Sequence, residues 1–312
     1  MRRLSSILAP PFFGDWENLQ SPWQLFTILS VALVLVGGRV DAGAIYMANA
    51  NGNSIVKFTP AGAGSVFANT GLNFPEGLAL DGNGNLFAAN DGDSTIRKFT
   101  PAGVGSPFAS SNTPGGLAFD SSGNLFAVSV GSNTITKFTP GGAGSLFANT
   151  GLAGAHGLAF DSAGNLYAAN FSNDTVEKFT PGGVGAVFAS TGLDAPLGLV
   201  FDSAGFLYVS NLNNSTIVRF TPGGVGSVFA NTGLNEPTGL AFDSTGNLYA
   251  ANLGNNTVEK FTPGGIGSVF ASSGLNGPYF IAIQPDPVPE PASLALAAVG
   301  GVVLFARRRK LA

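Results

Sequence analysis

One phenylalanine recurs along the chain at almost constant spacing: Phe58, Phe99, Phe138, Phe179, Phe220 and Phe261, at intervals of 41, 39, 41, 41 and 41 residues. Each stands in a "KFTP" or "RFTP" string, and the surrounding sequence repeats with it. An internal period of this length confines a chain to repeat architectures, in which each unit covers the apolar faces of its neighbours. Six units fill the stretch from Gly43 to about Pro287. Their consensus, "GLAFDSxGNLYAANxxNNTVEKFTPGGxGSVFAxTGLxxP", holds four short apolar runs separated by Asp/Ser/Gly/Asn or Pro/Gly clusters, which predicts four strands per unit.

Four-stranded units at this period predict an all-β chain folded as a six-bladed β-propeller, one blade per repeat, with only short edges left open. Helical solenoids of similar period are excluded by the Gly, Pro and Asn punctuation. The 45 glycines and a charged content of only 10% agree with many tight turns and little helix. The first copy starts at "GAIYMAN" without a preceding "GLAFD" run, and the last continues into "YFIAIQPD" (279–286) without a following "GNLY". These two half-units are expected to pair and close the ring.

Strands "GLAFD" and "NLYAAN" are apolar on both faces, as sandwiched strands should be. The third strand is different: every basic residue between Gly43 and Pro287 lies there, namely Lys57, Arg97, Lys98, Lys137, Lys178, Arg219 and Lys260. A ring of cations suits an acidic polymer; a solvated strand whose lysines lie along apolar surface or pair with carboxylates is the preferred reading. The same span has 14 acidic residues against these 7 basic ones, so nucleic acid is not expected as a partner.

The pattern in "EPTGLAFDSTGNLYAANLGNNTVEKF" (236–261) resembles NHL-repeat propellers and is more distantly similar to gluconolactonase and streptogramin-lyase propellers. Superposing the units places the single histidine, His156, in the column just before "GLAF": Glu76, Gly115, His156, Leu197, Thr238 and Tyr279. With "GLAF" innermost, this column rings one mouth of the central channel, the usual place for a propeller's site. The resemblance implies metal ligands in several blades of this column. Only Glu76 and His156 have ligating side chains there, too few for calcium or catalytic zinc, so no cofactor is expected, a divalent metal in the channel being the alternative.

A second column, Asn49, Asn90, Ser129, Asn170, Asn211 and Asn252, is nearly uniform and is expected to bond backbone at the turn after its strand. "TPGGVGS" has the glycines of a phosphate loop but joins two strands and reads as a hairpin turn. "DGNGN" (81–85) begins like a calcium loop yet lacks the required Gly and Glu further on. The chain has no cysteine, hence no thiolate nucleophile, and no serine stands in a nucleophile elbow. Any Ser-His-Asp arrangement would need His156.

The flanks belong to a different composition. Residues 1–42 are read as an N-terminal extension and signal peptide: "LFTILSVALVLVGG" (25–38) is uncharged and apolar, and Val40 and Ala42 are the small residues that place cleavage after Ala42. The part before it, with Asp15 and Glu17 beside Arg2 and Arg3, is long and weakly basic for such a leader, which leaves the true start open. Residues 288–312 combine Pro289, Glu290 and Pro291, an apolar stretch from Ala292 to Ala306, and the cluster Arg307, Arg308, Arg309 and Lys310. A short membrane helix with its basic end in the cytoplasm leaves the propeller outside.

This tail resembles the PEP-CTERM sorting signal. The resemblance implies a Gram-negative bacterium, processing by an exosortase after signal peptidase, transient anchoring in the membrane, and release to the cell surface or polysaccharide matrix. The expected function is that of a non-catalytic binding or scaffold propeller whose ligand is exopolysaccharide or another glycan, a peptide or a surface protein. The alternative is a metal-dependent lactonase- or lyase-like enzyme using Glu76 and His156.

Overall fold

The computed structural model describes residues 43–285. The expected leader, the cleavage point after Ala42 and the tail residues Pro289, Glu290, Pro291 and Arg307 to Lys310 lie outside the described residues. Between them every repeat folds as expected, into four antiparallel strands in sequence order.

Blade 1 contains β1 (Ile45–Asn49), β2 (Ser54–Phe58) and β3 (Gly64–Ala68); blade 2 contains β4 (Pro75–Leu80), β5 (Leu86–Asn90), β6 (Thr95–Phe99) and β7 (Gly105–Ser110). Blade 3 runs through β8 (Pro114–Phe119), β9 (Leu125–Ser129), β10 (Thr134–Phe138) and β11 (Gly144–Ala148), and blade 4 through β12 (Ala155–Phe160), β13 (Leu166–Asn170), β14 (Thr175–Phe179) and β15 (Gly185–Ala189). Blade 5 holds β16 (Pro196–Phe201), β17 (Leu207–Asn211), β18 (Thr216–Phe220) and β19 (Gly226–Ala230). Blade 6 holds β20 (Pro237–Phe242), β21 (Leu248–Asn252), β22 (Thr257–Phe261) and β23 (Gly267–Ala271), leaving β24 (Pro278–Ile283) to complete blade 1. That closure pairs Ile45 with Ile283, Tyr46 with Ala282 and Met47 with Ile281.

The innermost strands β4, β8, β12, β16, β20 and β24 follow one another round the channel, and β24 meets β4 to close the circle. Their close approach depends on a missing side chain. A Cβ at Gly77, Gly116, Gly157 or Gly198 would run into the carbonyl oxygen of the second residue of the next blade's inner strand, with Gly239 similarly placed against Tyr279 and Phe280. The glycine of "GLAF" is therefore a requirement of ring geometry.

The recurring phenylalanine is the joint between blades. Phe99, Phe179, Phe220 and Phe261 are fully buried, and each meets edge-on a phenylalanine from the last strand of the preceding blade, as in Phe147 with Phe179 at 6.2 Å. Burying a phenylalanine is worth about 1.5–3 kcal/mol and each such ring pair about 0.5–1.5 more, so the period follows the strongest inter-blade contact. The outer strands expose Val66, Leu146, Val187, Val228 and Val269, but each is short and bulged against its neighbour, which limits edge pairing.

The third-strand lysines pair as the preferred reading expects. Lys98, Lys137, Lys178 and Lys260 lie 3.5–3.8 Å from Asp81, Asp120, Asp161 and Asp243 of their own blades. Lys57, Lys98, Lys137, Lys178, Arg219 and Lys260 also sit over aromatic rings at 5.0–5.7 Å. The aspartates are already engaged in their turns: Asp161 Oδ1 accepts from the amides of Ala163 and Asn165, and Oδ2 from Asn165 Nδ2. Burial opposes its charge, yet these bonds and Lys178 hold its carboxyl below the usual range. The "DxxGN" string is thus a hairpin turn, and so is "TPGG", whose Thr180 accepts from Val184 and exchanges backbone bonds across the turn.

The asparagine column bonds backbone, but with a correction to where. Asn170 Nδ2 donates to Gly151 O at 2.8 Å and to Thr175 Oγ1 at 3.0 Å, and its Oδ1 accepts from Ala153 N–H at 3.1 Å. Gly151 and Ala153 belong to the crossover that precedes the blade, so the main job is to tie down the incoming loop. Sequence spacing could not show that a loop 17–19 residues upstream folds over the strand's end.

Candidate functional site at the channel end

Each inner strand begins at the same end of the ring, and the six residues before "GLAF" are gathered there. Blade by blade they differ in fate. Leu197 and Thr238 are buried, with Thr238 Oγ1 donating to Tyr279 O at 2.7 Å, while His156 and Tyr279 are half-buried. Glu76 is only 6% exposed, and its Oε2 has no hydrogen-bond partner. A Cβ at Gly115 would lie 3.6 Å from Glu76 Oε2 and 3.8 Å from His156 Cα. Glu76 and His156 therefore stand on either side of a missing side chain.

A neighbouring column escaped sequence reading. The residues following the asparagine column are Ala50, Asp91, Val130, Phe171, Leu212 and Leu253: five apolar side chains and one carboxylate. His156 packs on Phe171 with ring centroids 5.6 Å apart, and Val130 lies over Gly115, so the two columns are concentric. Asp91 acts on three members of the inner column. Glu76 is raised to about 8, first by burial and then by the charge of Asp91. Burial, then Glu76 and Asp91, push the Tyr279 phenol far up. His156 is lowered by burial, against a weaker pull from Asp91. The signal was present in the sequence as a single acid in an otherwise apolar column.

His156 Nδ1 lies 2.9 Å from Gly154 O. A carbonyl only accepts, so Nδ1 carries the proton and a neutral ring leaves Nε2 as an acceptor.

Departures from the repeat concentrate at this end between blades 2 and 3. The crossover from β7 to β8 spans residues 111–113, against 69–74, 149–154, 190–195, 231–236 and 272–277 at the other described crossovers between consecutive blades. It accounts for the single interval of 39. The asparagine column changes there to Ser129, which bonds Ser111 at 2.8 Å. Among the described residues, the buried side-chain polar atoms without a partner, Glu76 Oε2, Asn90 Oδ1 and Arg97 Nε, all belong to blade 2.

The donor set does not suit a divalent metal. Among the described residues no three His, Asp or Glu groups assemble that can hold one.

The closed ring of four-stranded sheets defines a six-bladed β-propeller, and solved structures share it. A structure of the nidogen/laminin complex aligns with a TM-score of 0.69 at 19% identity, over 78% of this chain and 98% of the other. Virginiamycin B lyase from Staphylococcus aureus gives 0.60 at 16% identity over 78% and 90%, and a gluconolactonase from Xanthomonas campestris 0.58 at 18% over 79% and 94%. These bear out the expected likeness to lyase and lactonase propellers in fold. No curated protein matches the chain significantly.

Outside the propeller, residues 287–310 match the PEP-CTERM protein-sorting motif. The chain is thus a propeller carrying an exosortase sorting tail, which implies export and sorting to the surface of a Gram-negative bacterium.

Proposed function

We propose that this chain is a non-catalytic binding module, displayed at the cell surface or in the extracellular matrix, whose ligand enters at the channel end above Glu76, Gly115 and His156. The supporting observation is the concentration of repeat-breaking changes there: a shortened crossover, an absent side chain and an unpartnered buried carboxylate. A repeat keeps its symmetry where folding alone sets the residue, so a localised break in three features points to selection for something besides folding. In this reading signal peptidase cleaves after Ala42, residues 43–287 form the module, and the 288–312 tail holds it in the membrane through Ala292 to Ala306 until exosortase acts on Pro289, Glu290 and Pro291.

The test has two parts. Mass spectrometry of the exported protein is expected to find an N-terminus at Gly43 and loss of the basic cluster; a surface fraction retaining Arg307, Arg308 and Arg309 would refute the processing scheme. Thermal-shift screening of the purified protein against oligosaccharides and peptides should yield binding that Gly115→Val abolishes. Metal-stimulated turnover of a lactone or cyclic ester, lost in Glu76→Gln and in His156→Ala, would replace the binding reading with the enzyme reading.

A further inference from the structure

Two side chains, Glu76 and His156, flank the gap left by Gly115 at the channel end, and the charge of Asp91 acts on both. Glu76 Oε2 is buried without a donor, the Asp91 carboxylate is close enough to act on Glu76 and His156, and His156 presents Nε2 as an acceptor because Nδ1 is committed to Gly154 O. The basic side chains of the described residues stand on the third strands, where the lysines lie over rings of their own blades and Arg97 lies against Gly71 of the crossover entering blade 2. Burial and Asp91 hold Glu76 protonated at neutral pH, and a cation that binds beside it takes the place of that proton. What surrounds the acceptors is apolar: Val130, Phe171, Leu212 and Leu253 are each half-buried around the inner column.

We propose that the channel end between Glu76, Asp91 and His156 binds a primary ammonium group carried on an apolar body. An ammonium has three N–H donors, no acceptor and one positive charge; Glu76 Oε2 and His156 Nε2 accept from it, and its charge stabilises an ionised Glu76 beside Asp91. Its apolar substituent lies against the Val130 to Phe171 side of the rim, beside the crossover shortened to residues 111–113. A divalent metal fits less well, for want of a third converging ligand group. An excess of seven acidic residues over basic ones between Gly43 and Pro287 draws cations toward the module.

The inference rests on reading this end as a binding site, and the test separates the two. Isothermal titration of the purified protein with phenethylamine, 2-phenylethanol and calcium chloride is expected to show the amine binding at least tenfold more tightly than the alcohol. Glu76→Gln and Asp91→Asn should each weaken the amine at least tenfold, while the melting temperature of Asp91→Asn stays within a few degrees of wild type. Equal binding of amine and alcohol overturns the ammonium inference, as does calcium saturating the site and excluding the amine. If no amine binds but an oligosaccharide or neutral peptide does, and Gly115→Val removes it, the binding module survives and the ammonium is wrong. If nothing binds and Gly115→Val changes nothing, both readings fall.

Discussion

Removing the Asn170 side chain tests the account of how crossovers are held. It is fully buried and makes three hydrogen bonds, at 2.8, 3.0 and 3.1 Å, two of them to the loop entering blade 4. At about 1 kcal/mol net for each bond, Asn170→Ala should cost about 3 kcal/mol. The described propeller spans residues 43–285, and for a domain of that size each kcal/mol lowers Tm by roughly 2–4 °C, which gives a fall of roughly 6–12 °C. Natural variation in the column grades the series. Asn90 donates to Gly71 O and Thr95 Oγ1 but has no partner on Oδ1, so Asn90→Ala should cost about 2 kcal/mol. Ser129 makes one side-chain bond, to Ser111, and Ser129→Ala should cost about 1 kcal/mol. Differential scanning calorimetry on the three variants gives the ranking. Equal losses in all three, or a shift under about 2 °C for Asn170→Ala, would show that these side chains do not hold the crossovers.

Other consequences are measurable in the same way. Gly157→Ala drives a methyl group into the Leu197 carbonyl and is expected to cost at least about 1–3 kcal/mol by urea unfolding, whereas Gly182→Ala, in an open turn, should cost under about 1 kcal/mol. Glu76 titrates at about 8 in the fold against 4.5 unfolded, so the folded state binds its proton more tightly and stability falls as pH rises from 4.5 to 8. Relative to Glu76→Gln, which lacks this titration beside Asp91, His156 and Tyr279, wild type should lose up to about 5 kcal/mol across that window; a constant gap between the two would contradict the burial of a free carboxyl. Lys178→Ala removes a pair at 3.7 Å whose partners are partly exposed, so the loss should stay within about 1 kcal/mol and shrink in high salt.

The sequence alone determined the blade number, the four strands per blade and the closure by the "YFIAI" strand, because these follow from a period of 41 and from turn residues that act locally. It also carried the sorting tail, whose order of motif, apolar run and basic cluster is read along the chain. It singled out Glu76 and His156 as the two ligating side chains of their column, yet with a blade between them they looked remote. Only the tertiary structure decided that Gly115 leaves that gap empty, that Asp91 from another strand adds its charge, and that the asparagines reach back to the crossover before them. Ring geometry is the physical reason: blades far apart in sequence converge on one axis, so the chemistry of the channel end depends on which side chains meet there and which one is missing.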